Sequence, residues 1–206
     1  MNIIKKYFPE FTEAQFEKFS LLKEQIILWN ASINVISRKD IDNFDINHLL
    51  HSLSISKVIQ FVSGTKILDI GTGGGFPGLP LAIAFPDTQF HLVDSIGKKI
   101  KVVDAVSKEL DLKNVTAQQI RAEELKEKYD FIVSRAVTAL PNFMTFTEGK
   151  FLKENKNSLP NGILYLKGGD YKDELKTINK KYQVFPISNY FEEDFFEEKD
   201  VVLIER

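Results

Sequence analysis

Apolar and polar positions along the chain change period near residue 65. Before that point the pattern is helical. Phe16, Phe19, Leu22, Ile26 and Trp29 recur three or four apart and predict one apolar stripe on a helix over 12–31. Thr12 followed by Gln15 is a capping-box signature at its start. A polar connection over 32–44 leads to a second helix, from about Asp45 to Gln60, with Ile46, Leu49, Leu50, Leu53 and Val58 inward. From Thr65 onward short apolar runs alternate with amphipathic ones. Strands are predicted near 66–70, 89–93, 114–118, 129–134 and 161–167, and helices over 78–85, 95–110, 138–153 and 171–181. Two further strands, near 182–188 and 200–205, close the chain, with the acidic stretch 192–200 as a solvated loop between them. Strand–helix alternation predicts an α/β fold: a doubly wound, mostly parallel sheet of Rossmann type with helices on both faces. We expect one domain over 1–206, with 1–62 as a helical extension and 63–206 as the ligand-binding core.

Composition narrows the classes. Hydrophobic residues make up 43% of 206, enough for a substantial core. No apolar run approaches the ~20 residues of a membrane span. The first residues lack the long apolar core of a secretory signal, so a cytoplasmic protein is the expectation. With no cysteine, disulfides and thiolate metal sites are excluded. A net charge of −2 argues against a strongly basic nucleic-acid binder but leaves room for a local basic patch. There are only four arginines, and Arg38, Arg121 and Arg135 lie in or beside the segments of chemical interest.

Glycine is concentrated in one place. Residues 67–80, ILDIGTGGGFPGLP, hold five of the chain's 11 glycines, directly after a strand and before a helix. Glycine permits sharp turns and lets a ligand touch the main chain. The first strand–helix turn of a doubly wound sheet is where ligands bind. No Lys-Ser or Lys-Thr pair follows, so a phosphate-cradling P-loop is excluded. A dinucleotide register fits as Gly73, Gly75 and Gly78, but it begins late after the strand. The earlier register, Asp69 through Gly75, suits S-adenosylmethionine, with Asp69 placed near a cationic ligand. Asp94, at the end of the next strand, is positioned to accept hydrogen bonds from ribose hydroxyls in either case.

Five segments together are more specific than the glycines alone: DIGTGGGFPGLPLAI (69–83), VDSIGKKIKVV (93–103), RAEE (121–124), DFIVSRAV (130–137) and LYLKG (164–168). With WNASINVISRKD (29–40) and HLLHSL (48–53), they resemble the RsmG, or glucose-inhibited division protein B, family over roughly residues 20–206. The resemblance implies an S-adenosylmethionine-dependent enzyme that methylates N7 of a guanine in the 530 loop of 16S ribosomal RNA. It implies that Gly71, Gly73 and Phe76 border the cofactor, that Asp94 holds its ribose, that Ala122 and Glu123 flank the adenine, and that Arg135 completes the site near the methyl donor. The partner would be 16S rRNA or the small ribosomal subunit; apart from the resemblance, a near-neutral monomer is the default expectation, and no third ligand beside His48 and His51 points to a metal. The chain departs from the family at His51, where relatives often carry aspartate, while His48 and Ser52 keep the pattern.

N7 of guanine carries a lone pair and no proton, so no general base is expected. Arg38 and Lys167 are the candidate RNA contacts, with Lys39, Lys98 and Lys99 as lesser ones. The three histidines are expected to be core or surface residues. Two other readings stay open: a nicotinamide-dependent oxidoreductase using the later glycine register, and a non-catalytic rRNA-binding assembly module.

Overall fold

A computed structural model describes residues 1–206 apart from Ala136 and the side chain of Arg38. Seven strands form one sheet: β1 (Lys66–Ile70), β2 (Gln89–Asp94), β3 (Val115–Gln119), β4 (Phe131–Arg135), β5 (Gly162–Gly168), β6 (Tyr182–Pro186) and β7 (Lys199–Glu205). Their order is β3-β2-β1-β4-β5-β7-β6. Neighbours among β1 to β5 run parallel, and β7 is antiparallel to both β5 and β6. The order reverses between β1 and β4, so the carboxyl ends of those strands, at Ile70 and Arg135, open the crevice where ligands of such sheets bind.

The sheet is buried on both faces, which is why its strands read as continuous apolar runs. One face carries α2 (Glu13–Asn30), α3 (His51–Val58), α4 (Gly78–Ala84) and α5 (Gly97–Glu109). Phe19, Leu22 and Leu53 of the extension share a single apolar cluster there with Ile67, Leu79 and Val133. The other face is covered by α6 (Leu140–Thr147) and α7 (Lys172–Lys176) over Leu68, Ile132 and Tyr165. The α2 cap forms as its sequence implies: the Thr12 hydroxyl accepts from the Gln15 amide while the Thr12 amide donates to the Gln15 side chain. Among the described residues no helix is long and apolar enough to cross a membrane.

Boundaries shift where turn chemistry overrides periodicity. A short helix, α1 (Asn2–Tyr7), precedes the predicted ones. The second predicted helix is wound as a wide π-helical segment over Asp45–Leu50 before α3 continues it to Val58. The helix expected over 138–153 stops at Thr147, just before Gly149 with φ of +72°, and Phe151 then bridges Tyr129. The helix expected over 171–181 keeps only α7.

The acidic stretch is not a simple solvated loop. Phe196 is fully buried among the apolar side chains of the core. Lys6 donates to Glu192 at 2.6 Å and the Tyr7 hydroxyl to Glu193 at 3.0 Å, so this loop clasps the first helix. The hydrophobic pair inside the acidic run drives it inward, and the acids remain outside to meet α1.

Candidate functional site

The glycine loop leaves β1 hydrogen-bonded to the end of β2. The amides of Gly71 and Thr72 both donate to the Val93 carbonyl, at 2.9 and 3.0 Å. Gly71 has φ of +68°, and a Cβ there would lie 2.5 Å from Val137 Cγ2. Only glycine satisfies both the turn and the close approach of the β4 end.

Asp69 does not face a ligand. It is fully buried, and its Oδ2 accepts from the Thr72 hydroxyl at 2.7 Å and from the Gly78 amide at 2.8 Å. Burial pushes its carboxyl up to about 7, against the pull of those two bonds. Its role is to pin the loop and the first turn of α4 to the strand, a correction to its expected place beside a cationic ligand. A Cβ on Gly78 would sit 2.7 Å from Asp69 Oδ2 and from Leu92 Cγ. Gly78→Ala is therefore expected to overpack this joint by about 1–3 kcal/mol. A thermal melt should show Tm falling by several degrees, on the order of 5 °C. An unchanged Tm would mean the joint is slack.

Asp94 closes the loop from the β2 side. Its Oδ2 accepts from the Gly73 amide at 3.0 Å and its Oδ1 from the Ile96 amide at 2.9 Å. Lys99 Nζ lies 3.9 Å from Oδ2. Beside this carboxylate is a cavity of about 330 Å³, bordered by Gly71, Asp94, Lys99, Arg121, Ala122 and Glu123. Ala122 and Glu123 sit on a short 3-10 turn just after β3, which the Ile120 amide ties to the Asp94 carbonyl at 3.2 Å. Four expected site residues, Gly71, Asp94, Ala122 and Glu123, are thus gathered in one place.

The remaining three are arranged differently. Gly73 contributes its amide to Asp94 and is not part of the cavity wall. Phe76 is 3% exposed and lies in the core between Phe44 and His48, not on the cavity. Arg135 stacks over the Phe76 ring at 5.1 Å. Its Nη1 donates to the Asn47 carbonyl at 3.1 Å and its Nη2 to His48 Nδ1 at 2.9 Å. Arg135 therefore ties the end of β4 to the helical extension. Burial pulls its guanidinium down to about 10, so it stays charged near neutral pH. A guanidinium has no acceptor, so His48 Nδ1 must receive that bond and the ring proton sits on Nε2. Burial together with Arg135 lowers His48 to about 3, which keeps the imidazole neutral.

Arg135 lines a second cavity, of about 420 Å³, with Asp40, His48, His51, Lys167 and Lys199. Val137 borders the first space, and Arg135 and Thr138 border the second. His48 and His51 are 6% and 7% exposed, and their Nε2 atoms have no partner among the described residues. Lys167 donates to Glu174 Oε2 at 2.8 Å, and the same oxygen accepts from the Leu140 amide at 2.6 Å, so this lysine is already paired. Of the lesser candidates, Lys39 and Lys98 are exposed and Lys99 serves the first cavity. The Arg38 side chain lies outside the described residues.

Asp40, Asn47, His48, His51 and Lys199 were not singled out as site residues from the sequence. The one available signal was the His48–His51 spacing, a single helical turn next to the polar connection.

Residues 15–202 match the family model described as rRNA small subunit methyltransferase G. The chain is 57% identical to the ribosomal RNA small subunit methyltransferase G of Christiangramia forsetii, covering 99% of this chain and 96% of that one. Identity to the protein of the same name from Bacteroides thetaiotaomicron is 52%, covering 98% of each. In fold, it is similar to a precorrin-6y C5,15-methyltransferase from Geobacter metallireducens, with a TM-score of 0.57 at 11% identity over 85% of this chain and 93% of that one. A SAM-dependent methyltransferase from Aquifex aeolicus superimposes with a TM-score of 0.52 at 18% identity, over 83% of this chain and all (100%) of that one. The structural likenesses speak for the fold, and the near full-length sequence matches carry the assignment: the chain belongs to the rRNA small subunit methyltransferase G family.

Proposed function

We propose that this protein methylates N7 of a guanine in the 530 loop of 16S ribosomal RNA, using S-adenosyl-L-methionine. The observation that carries the reading is the pair of cavities at the sheet's switch point, bordered by residues at or just after the carboxyl end of β4.

The first cavity fits the cofactor by its donor set. Each oxygen of Asp94 accepts one backbone N–H and retains a second acceptor position, which two vicinal ribose hydroxyls can fill. Val93, Ile120 and Ala122 supply an apolar wall for a purine, and Glu123 stands at its edge. A space of about 330 Å³ lies within the ordinary range of small-molecule sites. When bound, S-adenosyl-L-methionine supplies a methyl group that bonds to the N7 lone pair as the carbon–sulfur bond breaks, the electron pair going to sulfur.

The work of the chain is then positioning. Asp94 and the Ala122–Glu124 turn hold one reactant, and the second cavity holds the other across Val137. No residue needs to take a proton from N7, and His48 and His51, both lowered by burial, remain neutral. Neutral imidazoles suit a base that gains positive charge. Lys199 brings positive charge to the acceptor side, where phosphates approach. The partner on this reading is 16S rRNA or the small ribosomal subunit, the enzyme acting as a cytoplasmic monomer.

The test is transfer of labelled methyl from S-adenosylmethionine to unmodified small-subunit RNA and particles, followed by nucleoside mass analysis. Label is expected as 7-methylguanosine. Label in another nucleoside would overturn the assigned atom, and absence of cofactor binding would overturn the first cavity's role.

A further inference from the structure

The second cavity has a feature that methyl transfer alone does not require. Among the described side chains that line it, Asp40 is the only carboxylate; Arg135, Lys199 and Lys167, the last already paired with Glu174, line the same cavity. Asp40 is held from behind: Asn47 Nδ2 donates to its Oδ1 at 2.8 Å, while the Asn47 carbonyl receives Arg135. One residue of the extension thus sets the acid and the guanidinium relative to each other.

We propose that Asp40 is the specificity-determining residue for guanine, its carboxylate accepting the N1–H and N2–H groups of the base in the second cavity. The proposal rests on the reading of this cavity as the acceptor site. Guanine presents two adjacent donors on its Watson–Crick edge and two acceptors, O6 and N7, on the other. The acid suits the donor edge and Lys199, on the same lining, suits O6, which leaves the N7 lone pair free for the methyl group. Adenine offers a lone pair at N1 and only C–H at position 2, so the same carboxylate repels it. Asp40 Oδ1 has given one acceptor position to Asn47 and keeps another, so a two-point contact remains available.

Charge development adds to selection. As the methyl group arrives, positive charge spreads over the purine and the N1–H becomes more acidic. Its hydrogen bond to a carboxylate therefore strengthens toward the transition state, and no proton need leave the base. Asn47 acts as a positioning residue, through Asp40.

The test compares small-subunit RNA carrying guanosine at the accepting position with the same RNA carrying inosine, which lacks only the N2 amino group. The wild type is expected to prefer guanosine in kcat/KM by about 10- to 100-fold, the worth of one hydrogen bond to a charged group. Asp40→Asn is expected to lower the guanosine rate by a similar factor and to shrink the preference to within about 3-fold. Should that variant not fold, Asn47→Ala is expected to shrink the preference as well. Equal rates on both RNAs with the wild type overturn the proposal. So does an Asp40→Asn enzyme that loses activity but keeps the full preference, since that is the behaviour of a purely structural residue. If the wild type transfers no methyl group to the guanosine RNA, the methyltransferase reading itself fails, and this proposal fails with it.

Discussion

Asp94→Ala is expected to weaken S-adenosylmethionine binding by 100-fold or more, with a much smaller effect on folding. Two effects add. The carboxylate is the acceptor assigned to the ribose hydroxyls, and hydrogen bonds to a charged group contribute about 1.5–3 kcal/mol each. It also accepts the Gly73 and Ile96 amides, so its loss releases both the glycine loop and the entry to α5. Asp94→Asn is nearly isosteric yet should behave almost as badly. Its amide nitrogen must meet one of the two backbone N–H groups donor to donor. Titration calorimetry with the cofactor or its demethylated product checks both variants. Wild-type affinity in Asp94→Ala would remove the ribose from this corner of the sheet and reassign the first cavity.

Arg135→Lys is the second variant with a large expected effect, and it separates two roles. The guanidinium reaches Asn47 and His48 with two different nitrogens. A single ammonium satisfies one of them and leaves the other buried acceptor short of a donor, at a cost of about 1–3 kcal/mol. The stacking over Phe76 is lost as well. Tm is expected to fall by a few degrees, at roughly 2–4 °C per kcal/mol. On the proposed reading the rate on RNA should fall about 10- to 100-fold, because the second cavity depends on how β4 meets the extension and displacements near 1 Å cost on that scale. Cofactor affinity should be unchanged, since Arg135 does not border the first cavity. A Lys variant that binds cofactor poorly while keeping its stability would place Arg135 on the donor after all.

The two cavities differ in how far the sequence announces them. The first is built from chain-local signals: a glycine turn after β1, an acid at the end of β2 and a short turn after β3. Each is a few residues long and lies at a strand end, and the parallel sheet brings strand ends together as a matter of topology. Gly71, Asp94, Ala122 and Glu123 come to border one cavity for that reason. The resemblance put Phe76 beside the cofactor, and the residues around it in the chain do not show that its ring is buried. Packing against Phe44 and His48 decided for the core. Asp69 was misplaced: its position at a strand end was visible, but its two bonds back to Thr72 and Gly78 depend on the folded loop.

The second cavity could not be read in this manner. Arg135 meets Asn47 and His48 across 88 and 87 residues of chain, and Asp40 enters through a polar connection with no periodic pattern. The acidic run 192–200 looked solvated by composition, and only burial of Phe196 turned it into a clasp on α1. By itself the sequence determined the alternating α/β architecture, the glycine platform, the carboxylate beside it and the family to which the motifs belong. These follow from residues that are neighbours in the chain or from the fixed geometry of a parallel sheet. Tertiary structure alone decided that Arg135 braces the extension and that Asp40 and two neutral histidines share a cavity with it. Those contacts join segments far apart in sequence, and their energies come from burial and mutual hydrogen bonding, which exist only once the helical extension has packed onto the sheet.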